Sequence, residues 1–153
     1  MASEFPYDLN ALKESYVGSE SLPTVLEVEK GHVRAFAEAI EDANPLWVNE
    51  TFARQTSFGG IIAPPTFLRV VSVQSIEELP DHFPFKRLLD GGSEWEYLHP
   101  VRIGDTVTAV SRIADLYGRT GRLGPMVFIV SEITYTNQLS QVVAIQKSTS
   151  IRY

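Results

Sequence analysis

Hydrophobic spacing along the chain changes near Pro80. Before that position apolar residues recur with a period near 3.6, and after it they alternate with a period near 2, so helices are predicted first and strands second. In the first half, Pro23 to Val28 alternates well enough for one short strand, which Gly31 ends. His32 to Asp42 then places Val33, Phe36, Ala37 and Ile40 at the spacing of an amphipathic helix, and Pro45 bars much continuation. A short turn is expected from Asn49 or Glu50. The stretch from Gly59 to Glu78 is the most apolar part. Pro64 and Pro65 suit a helix start, where a missing N–H costs nothing. Phe67, Leu68, Val70, Val71, Val73 and Ile76 follow. This is too apolar for a surface helix, and too short and too polar to span a bilayer. It predicts a helix wrapped by sheet.

Beyond Pro80 the expected strands are Leu88 to Leu98, Asp105 to Tyr117, Met126 to Thr136 and Val142 to Ile151, arranged as an antiparallel meander. Turn residues separate them at Pro100 to Asp105, Gly118 to Pro125 and Asn137 to Ser140. Residues 1–21 form an arm, helical or irregular about Leu9 to Tyr16, lying over a single domain of residues 22–153. The fold class is therefore α+β: a curved antiparallel sheet around one long central helix.

Composition narrows the function. The chain has 153 residues, enough to bury roughly 70% of its unfolded surface without staples. It contains no cysteine, which removes disulfides, thiol nucleophiles and cysteine-ligated zinc, and fits a cytoplasmic setting. MASEFPYDLN has neither a basic region nor an apolar run, so no secretory signal is expected. A net charge of −6 argues against nucleic acid as a partner.

The sharpest chemical signal is Asp42-Ala43-Asn44-Pro45-Leu46-Trp47 at the end of the predicted helix. A carboxylate there faces the negative end of the helix dipole, a cost of roughly 0.3 to 1 kcal/mol that some interaction must offset. The plain reading is a side-chain-to-backbone turn made by Asp42 and Asn44 ahead of Pro45. His32, His82 and His99 have no metal-binding spacing and read as structural or surface residues. The glycines of Gly118 to Pro125 precede a strand, so that segment reads as a hairpin loop, with Arg119 and Arg122 kept as candidate contacts for phosphates.

The Asp-x-Asn-Pro sequence, the Phe-Gly-Gly-Ile-Ile-Ala run from Phe58, the Pro-Val-x-x-Gly-Asp turn at Pro100 to Asp105 and the last two strands together resemble the MaoC-like hot-dog hydratases and dehydratases. Ala63 to Phe67 and Asn137-Gln138 resemble more narrowly the non-catalytic N-terminal type of fatty-acid-synthase-like dehydratase domain. The resemblance implies a hot-dog fold. It also implies a catalytic Asp-x-Asn-Pro-x-His, of which this chain keeps Asp42 and Asn44 but has Trp47 for the histidine. Indole donates a hydrogen bond but shuttles no protons near neutral pH. Catalytic members also carry Ala-His-Gly at the central helix start, where the glycine N–H binds the thioester oxyanion; Pro64 and Pro65 stand here and offer none. Losing one such donor costs about 10² to 10³ in rate, and general acid–base help is worth about 10² to 10⁴.

The implied role is a non-catalytic subunit of an (R)-3-hydroxyacyl-thioester dehydratase or enoyl-CoA hydratase. Such a subunit pairs with a catalytic MaoC-like chain, or with itself, around an acyl-CoA or acyl-carrier-protein thioester. No cofactor or metal is implied. Pro64, Pro65, Thr66, Phe67, Val70 and Val71 are the candidate acyl-binding wall, with core packing as the rival role. Two alternatives stand beside this: a competent homodimeric hydratase or thioesterase using Asp42, and an acyl-CoA-binding or scaffolding protein without turnover.

Overall fold

The computed structural model describes residue 5, residues 7–73 and residues 85–153. Its centre is a five-stranded antiparallel sheet in the order β1-β3-β4-β5-β2, with β1 at Thr24–Glu27, β2 at Leu88–Tyr97, β3 at Thr106–Gly121, β4 at Gly124–Thr136 and β5 at Val142–Arg152. The α+β plan and all five strands follow the sequence pattern. The pairing corrects one expectation: β3, β4 and β5 form a meander, whereas β2 pairs with β5 at the sheet edge, Leu88 opposite Arg152 and Tyr97 opposite Ala144. The cause lies in the corner before β3. Gly104 donates its N–H to the Val28 carbonyl at 2.8 Å, and Val28 donates to the Asp105 carbonyl at 2.9 Å. That ties the start of β3 to the end of β1 and leaves β2 to the far edge.

One face of the sheet is apolar along its length. Val107, Ala109, Ile133, Tyr135 and Ala144 build one end of the core with Val28, Val33, Ala37, Trp47, Phe67 and Leu68. At the other end Ile113, Leu116, Val127, Ile129 and Phe85 form a second cluster, covered by Phe5 and by Leu9, Leu12 and Tyr16 of helix α1 (Leu9–Tyr16). Asp8 caps α1 by accepting from the N–H groups of Asn10 and Ala11, as N-cap carboxylates do. A bulge in β3 between Ile113 and Asp115 restores the phase, so Leu116 still faces inward.

Helix α2 spans Lys30–Ala39, earlier at both ends than the expected His32 to Asp42. Gly31 therefore lies in its first turn and does not end β1. The helix closes with Glu41 in the left-handed region at φ 56°, the Asp42 N–H on the Ala37 carbonyl at 2.9 Å and the Glu41 N–H on the Glu38 carbonyl at 3.1 Å. This two-bond closure uses carbonyls that a helix end otherwise leaves unpaired. Asp42 is thus past the helix, not in its last turn.

The larger correction concerns the central stretch. A helix starts at Pro65 as expected, but it is a six-residue 3₁₀ helix, Pro65–Val70, and Val71 is already extended at φ −72°, ψ 108°. Three of the four residues from Val70 to Val73 are valines, whose branched side chains crowd the preceding helical turn. The tighter helix still points Phe67 and Leu68 into the core, where Phe67 meets Phe36 edge to face at 5.5 Å between centroids. The remainder of the expected helix, from position 74 on, lies outside the described residues.

Candidate functional site

The Asp42–Trp47 loop is built from two successive side-chain caps. Asp42 Oδ1 accepts from the Asn44 N–H at 3.1 Å, and Asn44 Oδ1 accepts from the Leu46 N–H at 3.0 Å, opening a 3₁₀ turn at Pro45–Trp47. Asn49 repeats the device for α3 (Glu50–Arg54), accepting from Phe52 at 3.0 Å. The Asx-turn reading of Asp42 and Asn44 describes what is found: both side chains shape backbone. Trp47 is swallowed by the core with 8% of its surface exposed, and its indole Nε1 has no hydrogen-bond partner among the described residues.

Ahead of Pro64 the chain is sewn to the segment after β2. Ala63 donates to the Val101 carbonyl at 2.8 Å, Ile62 forms an isolated bridge with Arg102, and the Arg102 Nη1 donates to the Phe58 carbonyl. The Ala63 N–H is thus spent, and Pro64 and Pro65 have none, so three consecutive positions offer no donor to a bound oxyanion. Against this segment lies an open apolar cavity of 260 Å³, lined by Phe58, Ile62, Ala63, Pro64, Pro65, Leu68 and by Tyr97 to Val101 at the end of the edge strand. Of the six candidate wall residues, Pro64 and Pro65 line it. Phe67 is 1% exposed in the core, Val71 is half-buried, and Thr66 and Val70 face outward.

The polar groups on that lining are Tyr97, which sequence alone did not single out, and His99, read there as a structural or surface residue; the place of both depends on β2 being an edge strand. Burial pushes the Tyr97 phenol up. Tyr135 is pushed up to about 12, chiefly by burial, and donates to Gln146 Oε1 at 2.8 Å. Elsewhere Asp115 is held low by the Leu116 N–H and by Lys13, and Glu50 by Arg54 and then Lys30. All four shifts move away from neutrality, the opposite of the tuning that acid–base catalysis uses. His32 is exposed, 3.8 Å from the Glu29 carboxylate, and His82 lies outside the described residues. Among the described residues no group of three His, Asp or Glu could hold a metal.

The second polar stretch that matches the family pattern is a corner lock. Asp105 Oδ2 accepts from the Arg102 N–H at 2.8 Å, while its Oδ1 accepts from Gln138 Nε2 at 2.9 Å. Gln138 Oε1 in turn accepts from the Thr106 N–H at 3.0 Å, and Asn137 Oδ1 takes the N–H groups of Leu139 and Gln141. Gly104 turns the corner at φ 90°, a conformation glycine adopts without strain. The Gly118 to Pro125 segment is a hairpin, as expected, but tighter: only Arg122 and Leu123 separate β3 from β4.

Comparison with known proteins agrees with this architecture. The family model described as FAS1-like, dehydratase domain region, matches residues 15–146. A UPF0336 protein of Thermobifida fusca is 33% identical over 131 residues, covering 82% of this chain and 85% of that protein. The ChsH1-ChsH2 complex from Mycobacterium tuberculosis superposes with a TM-score of 0.78 at 20% identity, covering 95% of this chain and 88% of that one. A MaoC-like dehydratase from Rhodospirillum rubrum gives 0.69 at 20% identity over 93% and 95%. Among the described residues no helix is long and apolar enough to cross a membrane. With the sheet, the cap loop and the corner all in place, the chain belongs to the FAS1-like dehydratase domain family, and its fold is that of the MaoC-like dehydratase.

Proposed function

We propose that this chain is the non-catalytic, acyl-chain-accommodating subunit of an (R)-3-hydroxyacyl-thioester dehydratase or enoyl-CoA hydratase, and that a catalytic MaoC-like chain completes it. The observation that carries this reading is Trp47. Where catalytic relatives keep an imidazole, this chain buries an indole in its core and spends Asp42 on a turn. The missing oxyanion donor at Ala63 to Pro65 supports the same reading, as does the cavity. At 260 Å³ and open beside an edge strand, it is smaller than the roughly 300–1,000 Å³ of complete small-ligand pockets, as half of a shared site should be. The ChsH1-ChsH2 neighbour is itself a complex of two chains.

In this role Pro64 and Pro65, with Leu68 behind them, shape one wall for the acyl chain, while the partner supplies Asp, His and the oxyanion donor. Proton transfer by such a pair needs no cofactor. The reading is tested by co-purifying the chain with a hot-dog chain that has an intact Asp-x-Asn-Pro-x-His, then measuring hydration across a series of acyl lengths. A stable complex that accepts bulkier acyl groups than the catalytic chain alone supports it. Failure to associate, or an unchanged acyl range, overturns it.

A further inference from the structure

The cavity beside Pro64 is walled by rings. Six of its eleven described lining residues carry one: Phe58, Pro64, Pro65, Tyr97, His99 and Pro100. Tyr97 is held as a plate by the strand it stands on. It lies two residues from Trp95 on β2, so the two side chains share one face of the strand. Their rings stack at 5.6 Å between centroids and 6° between planes, and Trp95 stacks in turn on Tyr135 at 5.5 Å and 26°. The register permits this. Ala144 of β5 is the cross-strand partner of both Tyr97 and Tyr135, and its methyl group leaves room for rings to close over the strand between them.

The stack is anchored at its buried end. Tyr135 is 1% exposed and donates to Gln146 Oε1 at 2.8 Å, and Gln146 Nε2 donates to Ser93 Oγ at 3.0 Å. At the other end the Leu98 and His99 N–H groups both donate to the Val143 carbonyl, at 2.9 and 3.1 Å, so the chain just past Tyr97 is pinned. Tyr97 itself is 44% exposed and lines the cavity together with Pro64 and Pro65. A wall of this kind does not adapt. Flexible side chains that repack around a varied ligand, methionine above all, are missing from the described lining. A linear alkyl chain also loses rotamer freedom along its length when it is bound, and a ring has none to lose. Against Tyr97 a ring can take the offset-stacked geometry that aromatic pairs favour, which is worth more than its buried area alone.

We propose that this wall selects acyl groups that carry a flat unsaturated ring over linear acyl groups of equal carbon number, with Tyr97 as the residue that sets the preference. The inference rests on the acyl-binding role proposed above. The test compares 3-phenylpropanoyl-CoA with nonanoyl-CoA, which have the same number of acyl carbons and no double bond to hydrate. Each is titrated calorimetrically into the full chain, into the catalytic chain and into their complex. The ratio of phenyl to nonanoyl affinity should be at least about threefold higher in the complex than in the catalytic chain alone. Tyr97→Leu should cut that ratio at least about threefold, Tyr97→Phe should keep it, and Glu96→Gln, on the opposite face of β2, should leave it where it is. The inference falls if the complex shows no such gain, if neither ligand binds, if Tyr97→Leu keeps the ratio, or if Glu96→Gln lowers it as much. The wild-type comparison decides the matter even where Tyr97→Leu fails to fold. The two readings fail separately. A chain that prefers the phenyl ligand on its own but associates with no catalytic chain overturns the pairing and supports the ring preference. A complex that hydrates linear enoyl groups well and gains nothing for the phenyl ligand does the reverse.

Discussion

Two polar stretches of this chain match the same family pattern, and they differ in what their side chains hold. In the corner, Asp105 engages the Arg102 N–H with one oxygen and Gln138 with the other, and Gln138 closes the ring on Thr106. In the cap loop, Asp42 and Asn44 each accept a single N–H two residues on. Both stretches shape the backbone around them. On the proposed reading, position 47, where catalytic relatives carry an imidazole, holds an indole. A matched motif can therefore report a bend without reporting a reaction.

That comparison can be broken in several ways, taken here from the largest expected effect down. Phe67 sets the scale of core packing: Phe67→Ala should cost about 3 to 5 kcal/mol in urea unfolding, whereas a ligand wall would change acyl binding with little loss of stability. Asp105→Ala removes two bonds to a charged acceptor and should cost about 2 to 3 kcal/mol. Asp42→Ala, losing one surface turn bond, should cost about 0.5 to 1 kcal/mol. If the two Asp variants unfold at the same urea concentration, the contrast between corner and loop is wrong. Trp47→Phe deletes a buried donor that has no acceptor among the described residues, which offsets part of the lost packing, so its net cost should stay below about 1.5 kcal/mol.

A pH titration sharpens the picture of the apolar face. Tyr135 is raised from 10.0 to about 12 by burial, so the unfolded chain releases that proton first. Its contribution is fully present below about pH 10 and is lost between 10 and 12. Unfolding midpoints measured across that window should fall for wild type and fall less for Tyr135→Phe.

Much of this was legible in the sequence. The five strands and α2 are set by periodicity, and the Asp42–Asn44 turns by residue chemistry beside a proline. The central stretch misled because a run of apolar residues does not distinguish helix from extended chain, and Val70, Val71 and Val73 favour the latter. The position of β2 was hidden because it depends on backbone bonds between Val28 and the Gly104-Asp105 corner, about 76 positions apart in sequence. The places of Tyr97 and His99 beside Pro64 were hidden with it. Nothing in the string of residues could show that the Trp47 N–H finds no acceptor among the described residues, since that is a property of packing.

The most direct test of the central claim is the hydration rate of an enoyl-CoA by the purified chain alone, set against the same chain bound to a partner with an intact Asp-x-Asn-Pro-x-His. The account predicts no turnover above background for the isolated chain and full activity for the complex, unchanged when Asp42 becomes Asn. Turnover by the isolated chain at an ordinary enzymatic rate, abolished by Asp42→Asn, would contradict it.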